Sequence, residues 1–108
     1  MKLELNTDGK TMTLPVPGDL ISTNIETIRN EATALFGTDA SKPPEWDIFT
    51  LDLTSAKMVD SAGLNLIVSL FKRAQRHGRK IQILYSNPNI LRTIAFTRLD
   101  KHVEMVKV

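Results

Sequence analysis

A single small α/β domain, with a mixed sheet of four to five strands and helices packed mainly on one face, is the fold class this sequence predicts. Three observations carry it. Two β-rich apolar runs, "WDIFTLDL" (46–53) and "KIQILYS" (80–86), flank one amphipathic stretch, so a right-handed crossover joins two parallel, adjacent strands. An alternating opening, "LEL" then "TMTLPV", brackets the turn signal Asp8-Gly9 and adds an antiparallel hairpin. Finally, 108 residues with 42% hydrophobic and 24% charged side chains suffice for one core, so residues 1–108 are read as one domain.

In the hairpin, Leu3, Leu5, Met12, Leu14 and Val16 alternate along the two strands. Pro15 and Pro17 cannot donate to a ladder, which predicts that the second strand frays there or lies at an exposed edge. From Ser22 to Phe36, "STNIETIRNEATALF" places Ile25, Ile28, Ala32 and Leu35 on one helical face. Thr23 and Glu26 have the spacing of a capping box, and Gly37 is placed to stop the helix. "TDASKPPE" reads as a surface connection.

Trp46 to Leu53 then has the nearly contiguous Ile48, Phe49, Leu51 and Leu53 of a strand buried on both faces. A helix is expected from Ser61 to His77, and a strand from Lys80 to Tyr85. Ser86 or Asn87 caps a short helix with Pro88 in its first turn, turning Ile90, Leu91, Ile94 and Ala95 inward. "HVEMVKV" alternates weakly enough to be a last strand.

Several functional classes lose support from composition. Without Cys there is no disulfide framework and no thiolate metal site. "MKLELNTDGK" lacks the apolar core of a signal peptide, so a cytoplasmic protein is expected. No run approaches the roughly 18 apolar residues of a membrane span. The net charge is +2, and Lys72, Arg73, Arg76, Arg79 and Lys80 gather at one helix end. There they complement the dipole without interleaved aromatics, so they read as a solvated helix end and not as a nucleic-acid surface. No Gly-rich phosphate loop, triad context around His77 or His102, or metal-ligand spacing appears, and neither enzyme activity nor a cofactor is expected. A receiver-type phosphoacceptor at Asp52 would need an acidic pair after the first strand, which the opening hairpin does not offer.

The chemistry-bearing residues collect at one place. In α/β sheets, strand C-terminal ends and following helix starts share a rim where sites form, and Asp52, Thr54, Ser55, Asp60 and Ser61 fall near it. Asp60 or Ser61 can cap the helix. Asp52, at the end of an apolar strand, needs partners and is expected to brace the following loop through backbone amides, although a functional role is equally open. Gly63 costs helical propensity, and with Ala62 it leaves the helix start open to a ligand, a partner backbone or tight packing.

Over 49–84, "FTLDLTSAKMVDSAGLNLIVSLFKRAQRHGRKIQIL" resembles the STAS domain, the fold of bacterial anti-sigma-factor antagonists, whose pattern is an apolar strand ending in Asp-Leu, then Asp-Ser-x-Gly-Leu opening a helix. "PNILRTIAFTRLDKHVEMV" and "PGDL" extend the likeness, with Ile21 standing where the family often has Asp. The resemblance implies that Ser61 is phosphorylated by a partner anti-sigma factor with serine kinase activity and restored by a phosphatase. It also implies that Asp60, Ser61, Ala62, Gly63 and Asn65 form the partner interface, and that Asp52 closes the central strand. Unmodified protein would bind the kinase and free a sigma factor; phospho-Ser61 would abolish that binding. The alternative is a small STAS subunit docking on the ATPase of a bacterial lipid-transport ABC complex. A third use, the sulfate-transporter STAS tail, needs an attached membrane region that this sequence does not contain. No signal for an oligomeric state is present.

Overall fold

A computed structural model describes residues 2–6, 9–37 and 41–108. The strands are β1 (Lys2–Asn6), β2 (Gly9–Pro15), β3 (Ile48–Leu53), β4 (Lys80–Tyr85) and β5 (Glu104–Lys107). They form one five-stranded sheet in the order β1-β2-β3-β4-β5. β1 runs antiparallel to β2, and β2–β3, β3–β4 and β4–β5 are parallel. The mixed sheet and the parallel, adjacent pair of strands on either side of the long helix are as expected. Asn6 lies opposite Gly9, while Asp8 of the expected turn falls outside the described residues.

Helices α1 (Ile25–Phe36), α2 (Ser61–Arg76) and α3 (Pro88–Phe96) each connect successive parallel strands, and a 3-10 turn, Leu99–Lys101, precedes β5. All three crossovers step the same way across the sheet. Because such crossovers are right-handed, they place every helix on the same face. That face carries Leu14, Phe49, Leu51, Leu53, Ile81, Ile83 and Tyr85, all buried, in aligned rows: Phe49 lies between Met12 and Ile81, and Leu51 between Leu14 and Ile83. The helices cover them with Ile25, Ile28, Ala32 and Phe36, then Leu66, Ile67, Leu70 and Ala74, then Ile90 and Ile94. Phe36 takes the deeply buried place expected of Leu35, which is only partly buried.

The structure differs from the sequence reading at four further places. β2 is an interior strand, not an edge. Pro15 is tolerated at its end because Val16 N–H turns toward β3, bonding Asp52 O at 2.9 Å, and the Pro15 nitrogen points to the β1 side, past the Lys2–Thr13 pair. β3 is covered by helices on one face only. On the other face Thr50 is buried but polar, its hydroxyl donating to Gln82 Oε1 at 3.0 Å, while Ile48 and Asp52 are half-buried. No capping box forms at Thr23 and Glu26: α1 begins after Asn24, whose side chain bonds the preceding loop instead. Among the terminal cations, Lys72, Arg76 and Lys80 are exposed as expected, but Arg73 and Arg79 are half-buried and hydrogen-bonded to the protein. Arg73 lies over the Phe36 ring at 5.4 Å and donates to Gly37 O, and Arg79 donates to Pro44 O and His77 O. The helix ends otherwise follow the expectation, with Gly37 at φ +99° and Asn87 Oδ1 accepting from Asn89 N–H at 2.9 Å ahead of Pro88.

At the side opposite the helix starts, Trp46 is clamped by Phe36 and Phe49, with ring centroids 4.7 and 5.4 Å away, and its Nε1–H donates to Leu35 O at 3.0 Å. This closes the end of α1 over the start of β3 and satisfies the one polar atom of a buried indole.

Arg98, between α3 and the 3-10 turn, has φ +63°. A left-handed conformation costs an L residue roughly 1–2 kcal/mol. Glycine removes that cost and gives part of it back as unfolded-chain entropy. Arg98→Gly is expected to stabilise the fold by about 0.5–1 kcal/mol, read as a higher urea midpoint at unchanged slope.

Candidate functional site

Two segments leave the sheet side by side, one after β2 and one after β3. Leu20 and Val59 form an isolated parallel bridge, with Leu20 N–H donating to Met58 O at 3.1 Å and Asp60 N–H to Leu20 O at 3.2 Å. Each segment contributes an aspartate that grips the other. Asp19 Oδ1 accepts Lys57 N–H at 2.7 Å and Met58 N–H at 3.2 Å. Asp60 Oδ2 accepts Ser22 N–H at 2.9 Å. Asn24 tightens the first segment, donating to Asp19 O and accepting Ile21 N–H at 3.1 Å.

Asp60 also settles which residue caps α2. Its Oδ1 accepts Gly63 N–H at 2.9 Å, so Asp60 is the N-cap and Ser61 the first helical residue. Ser61 and Asn65, one turn apart, are exposed; Asp60 and Ala62 are half-buried. Gly63 does not share that surface. It is buried, and a β-carbon there would stand 2.3 Å from Leu20 O and 2.8 Å from Val59 Cγ1. Of the three occupants the sequence left open above this helix start, tight packing is the one found.

Asp52 makes part of the expected brace. Its Oδ1 accepts the Thr54 N–H at 3.0 Å and the Thr54 hydroxyl at 2.7 Å, turning the chain at once out of β3. Farther along, the loop amides at Lys57 and Met58 belong to Asp19, which the sequence reading passed over. The signal for it was an acidic residue directly after Pro17-Gly18, a place where a side-chain carboxylate commonly replaces missing ladder partners.

The amides of Gly63 and Ser22 hold the Asp60 carboxyl below its ordinary value of 3.8. Both oxygens are thus engaged, and the group is a weak base at neutral pH. What the rim offers is an exposed hydroxyl on a firmly seated helix start with a fixed negative charge beside it.

Two outcomes follow from this geometry. Gly63→Ala, although it adds about 1 kcal/mol of helix propensity, is expected to lower stability by about 1–3 kcal/mol net and to speed amide exchange at Leu20 and Ser22. For Asp60, a folded-state pKa below the unfolded one means that its contribution is present above about pH 3.8 and is lost as pH falls through the folded value. The drop in urea midpoint between about pH 6 and about pH 3 should therefore be smaller in Asp60→Asn than in the wild type.

Comparison with known proteins agrees with this architecture. A sequence model of the STAS domain matches residues 2–108. A putative anti-sigma factor antagonist from Thermotoga maritima superposes with a TM-score of 0.76 at 20% identity, covering 99% of this chain and 86% of that one. The anti-sigma factor antagonist SpoIIAA in its unphosphorylated form gives 0.72 at 19%, covering 99% and 86%. The STAS domain of a SulP transporter from Vibrio cholerae gives 0.67 at 16%, covering 91% and 73%. These likenesses show the fold, and among the described residues no helix is long and apolar enough to cross a membrane. With the family match spanning nearly the whole chain, the protein belongs to the STAS domain family.

Proposed function

We propose that this domain is a phosphorylation-switched protein-binding module of the anti-sigma-factor antagonist type, acting in transcription regulation in the cytoplasm. In its unmodified form it binds an anti-sigma factor with serine kinase activity through Asp60, Ser61, Ala62 and Asn65. Gly63 supports that surface from below by letting Leu20 pack against the helix. The partner kinase transfers a phosphoryl group to Ser61 Oγ, and a phosphatase removes it. The observation that carries the reading is the exposed Ser61 hydroxyl at the first position of α2, whose start is anchored through Asp60 to Gly63 and Ser22. The structural likeness to antagonists supports it.

Physical chemistry makes the switch economical. A phosphate adds about −1.5 to −2 charge, and a helix N-terminus tolerates an anion. The fold is therefore left nearly undisturbed. A partner packed on Ala62 and Asn65 would instead meet that charge at short range, reinforced by Asp60. A hundredfold loss of affinity corresponds to only about 2.7 kcal/mol.

The alternative reading, a small STAS subunit docked on the ATPase of a bacterial lipid-transport ABC complex, would use the same helix without needing a phosphate. Affinity capture with Ser61→Ala and Ser61→Asp as baits, followed by titration calorimetry on the captured partner, separates the two. The switch reading expects Ser61→Ala to bind and Ser61→Asp to fold normally but bind about a hundredfold more weakly. Equal affinity of both variants, or cellular phosphate found only on other residues, would return Ser61 to a purely structural role.

A further inference from the structure

Asp60 serves two segments at once. Its Oδ1 caps α2 on Gly63 N–H, and its Oδ2 holds Ser22 N–H, 38 residues earlier in the chain, both at 2.9 Å. The two bonds are not equivalent. The first closes within the helix start and is partly buried, whereas the second is exposed and reaches across to the loop between β2 and α1. That loop is fastened at its base by the Leu20–Val59 bridge and the Asp19 bonds, so the Ser22 bond is the tie nearest its tip. Ser22 and Thr23 at the tip are exposed.

Cations are scarce around this bond. Lys57 is the only one in segments 19–24 and 54–61, and the first two turns of α2 contain none. Arg92, which lines an open groove with Leu64, donates to Asn89 Oδ1. A phosphate on Ser61 would therefore turn to the first-turn amides of its own helix, the donors that Asp60 already draws on at Gly63 and Ala62. Repulsion between a dianion and a carboxylate on the preceding residue is of the same order as one charge-assisted hydrogen bond. The exposed arm is the one that gives, because the capping arm keeps the favourable positive end of the helix.

We propose that the Ser22–Asp60 bond is a latch that a phosphate on Ser61 opens, freeing the tip of the β2–α1 loop while the cap on Gly63 and the Asp19 bonds stay closed. Modification then changes the shape of the surface beside Ser61 as well as its charge. The inference rests on the reading of Ser61 as the modified residue, and it adds Ser22 to the positions that respond.

The test uses the whole chain with phosphoserine installed at position 61 during synthesis, by suppression of an amber codon, so that no kinase is needed. Amide exchange with water is read residue by residue by NMR against the unmodified chain. Ser22 N–H is expected to exchange about tenfold faster and to shift upfield, as a proton released from a carboxylate does. The amides of Leu20, Lys57, Met58 and Gly63 are expected to stay within about twofold. In Asp60→Asn the side chain keeps one accepting oxygen, which the cap uses, so Ser22 is released without phosphate and phosphate adds no further change. An unchanged Ser22 amide, the result if Lys57 or Arg92 neutralises the phosphate first, overturns the latch. So does a slower one, which means that the phosphate itself holds Ser22, a general rise across all these amides, or a phosphate effect on Ser22 that persists in Asp60→Asn. The switch is judged separately. A closed latch in a chain whose phosphate abolishes partner binding removes the latch alone, and an open latch in a chain that carries no phosphate on Ser61 in cells removes only the switch.

Discussion

The Leu20 carbonyl crosses so close to α2 that a β-carbon on Gly63 would stand 2.3 Å from it, and the rim is organised around that crossing. Here the segment leaving β2 is pressed between the loop leaving β3 and the helix that follows. Glycine gives up helix propensity of about 1 kcal/mol at this position, which is offset by burial of Leu20 and Val59 and by the two backbone bonds of their bridge. The two aspartates then act reciprocally: Asp19 of the first segment holds amides of the second, and Asp60 of the second holds an amide of the first. Neither loop can shift without releasing the other.

That coupling determines how Ser61 is presented. A side chain at the first position of a helix whose cap is also tied to a neighbouring segment has little freedom to move with its backbone, as a recognition surface requires. The same bonds that seat the helix occupy both Asp60 oxygens, so the serine has no base in its own cap.

Topology supplies the wider frame. Three crossovers in one direction put all helices on one face and all their N-termini at one rim, leaving the far face of the sheet to a polar row from Thr50 through Gln82 to Glu104. The α2–α3 groove is a consequence of the same arrangement, since neighbouring helices on one face leave a furrow between them. Phe96 is exposed there, and the furrow is open beside Leu64.

Much of this was determined by the sequence alone. The β-rich runs at 46–53 and 80–86, the single amphipathic stretch between them, and Asp-Ser-Ala-Gly-Leu at the helix start specified the parallel pair, α2 and the position of the exposed serine, because local periodicity and capping chemistry depend on neighbours in the chain. Pairings between distant residues were decided by tertiary structure. Nothing near Asp19 reveals that its amide partners lie 38 and 39 residues away. Pro15 reads as an edge signal until it is known which way its nitrogen faces, and Thr23-x-x-Glu26 reads as a cap until Asn24 is drawn into the loop. Gly63 was legible as an anomaly but not as a contact, since what fills the space above a glycine is set by a segment that folds back from elsewhere. Phe96 was the opposite case, an apolar residue at the end of an apolar helix, whose exposure follows only from where α3 comes to rest against α2.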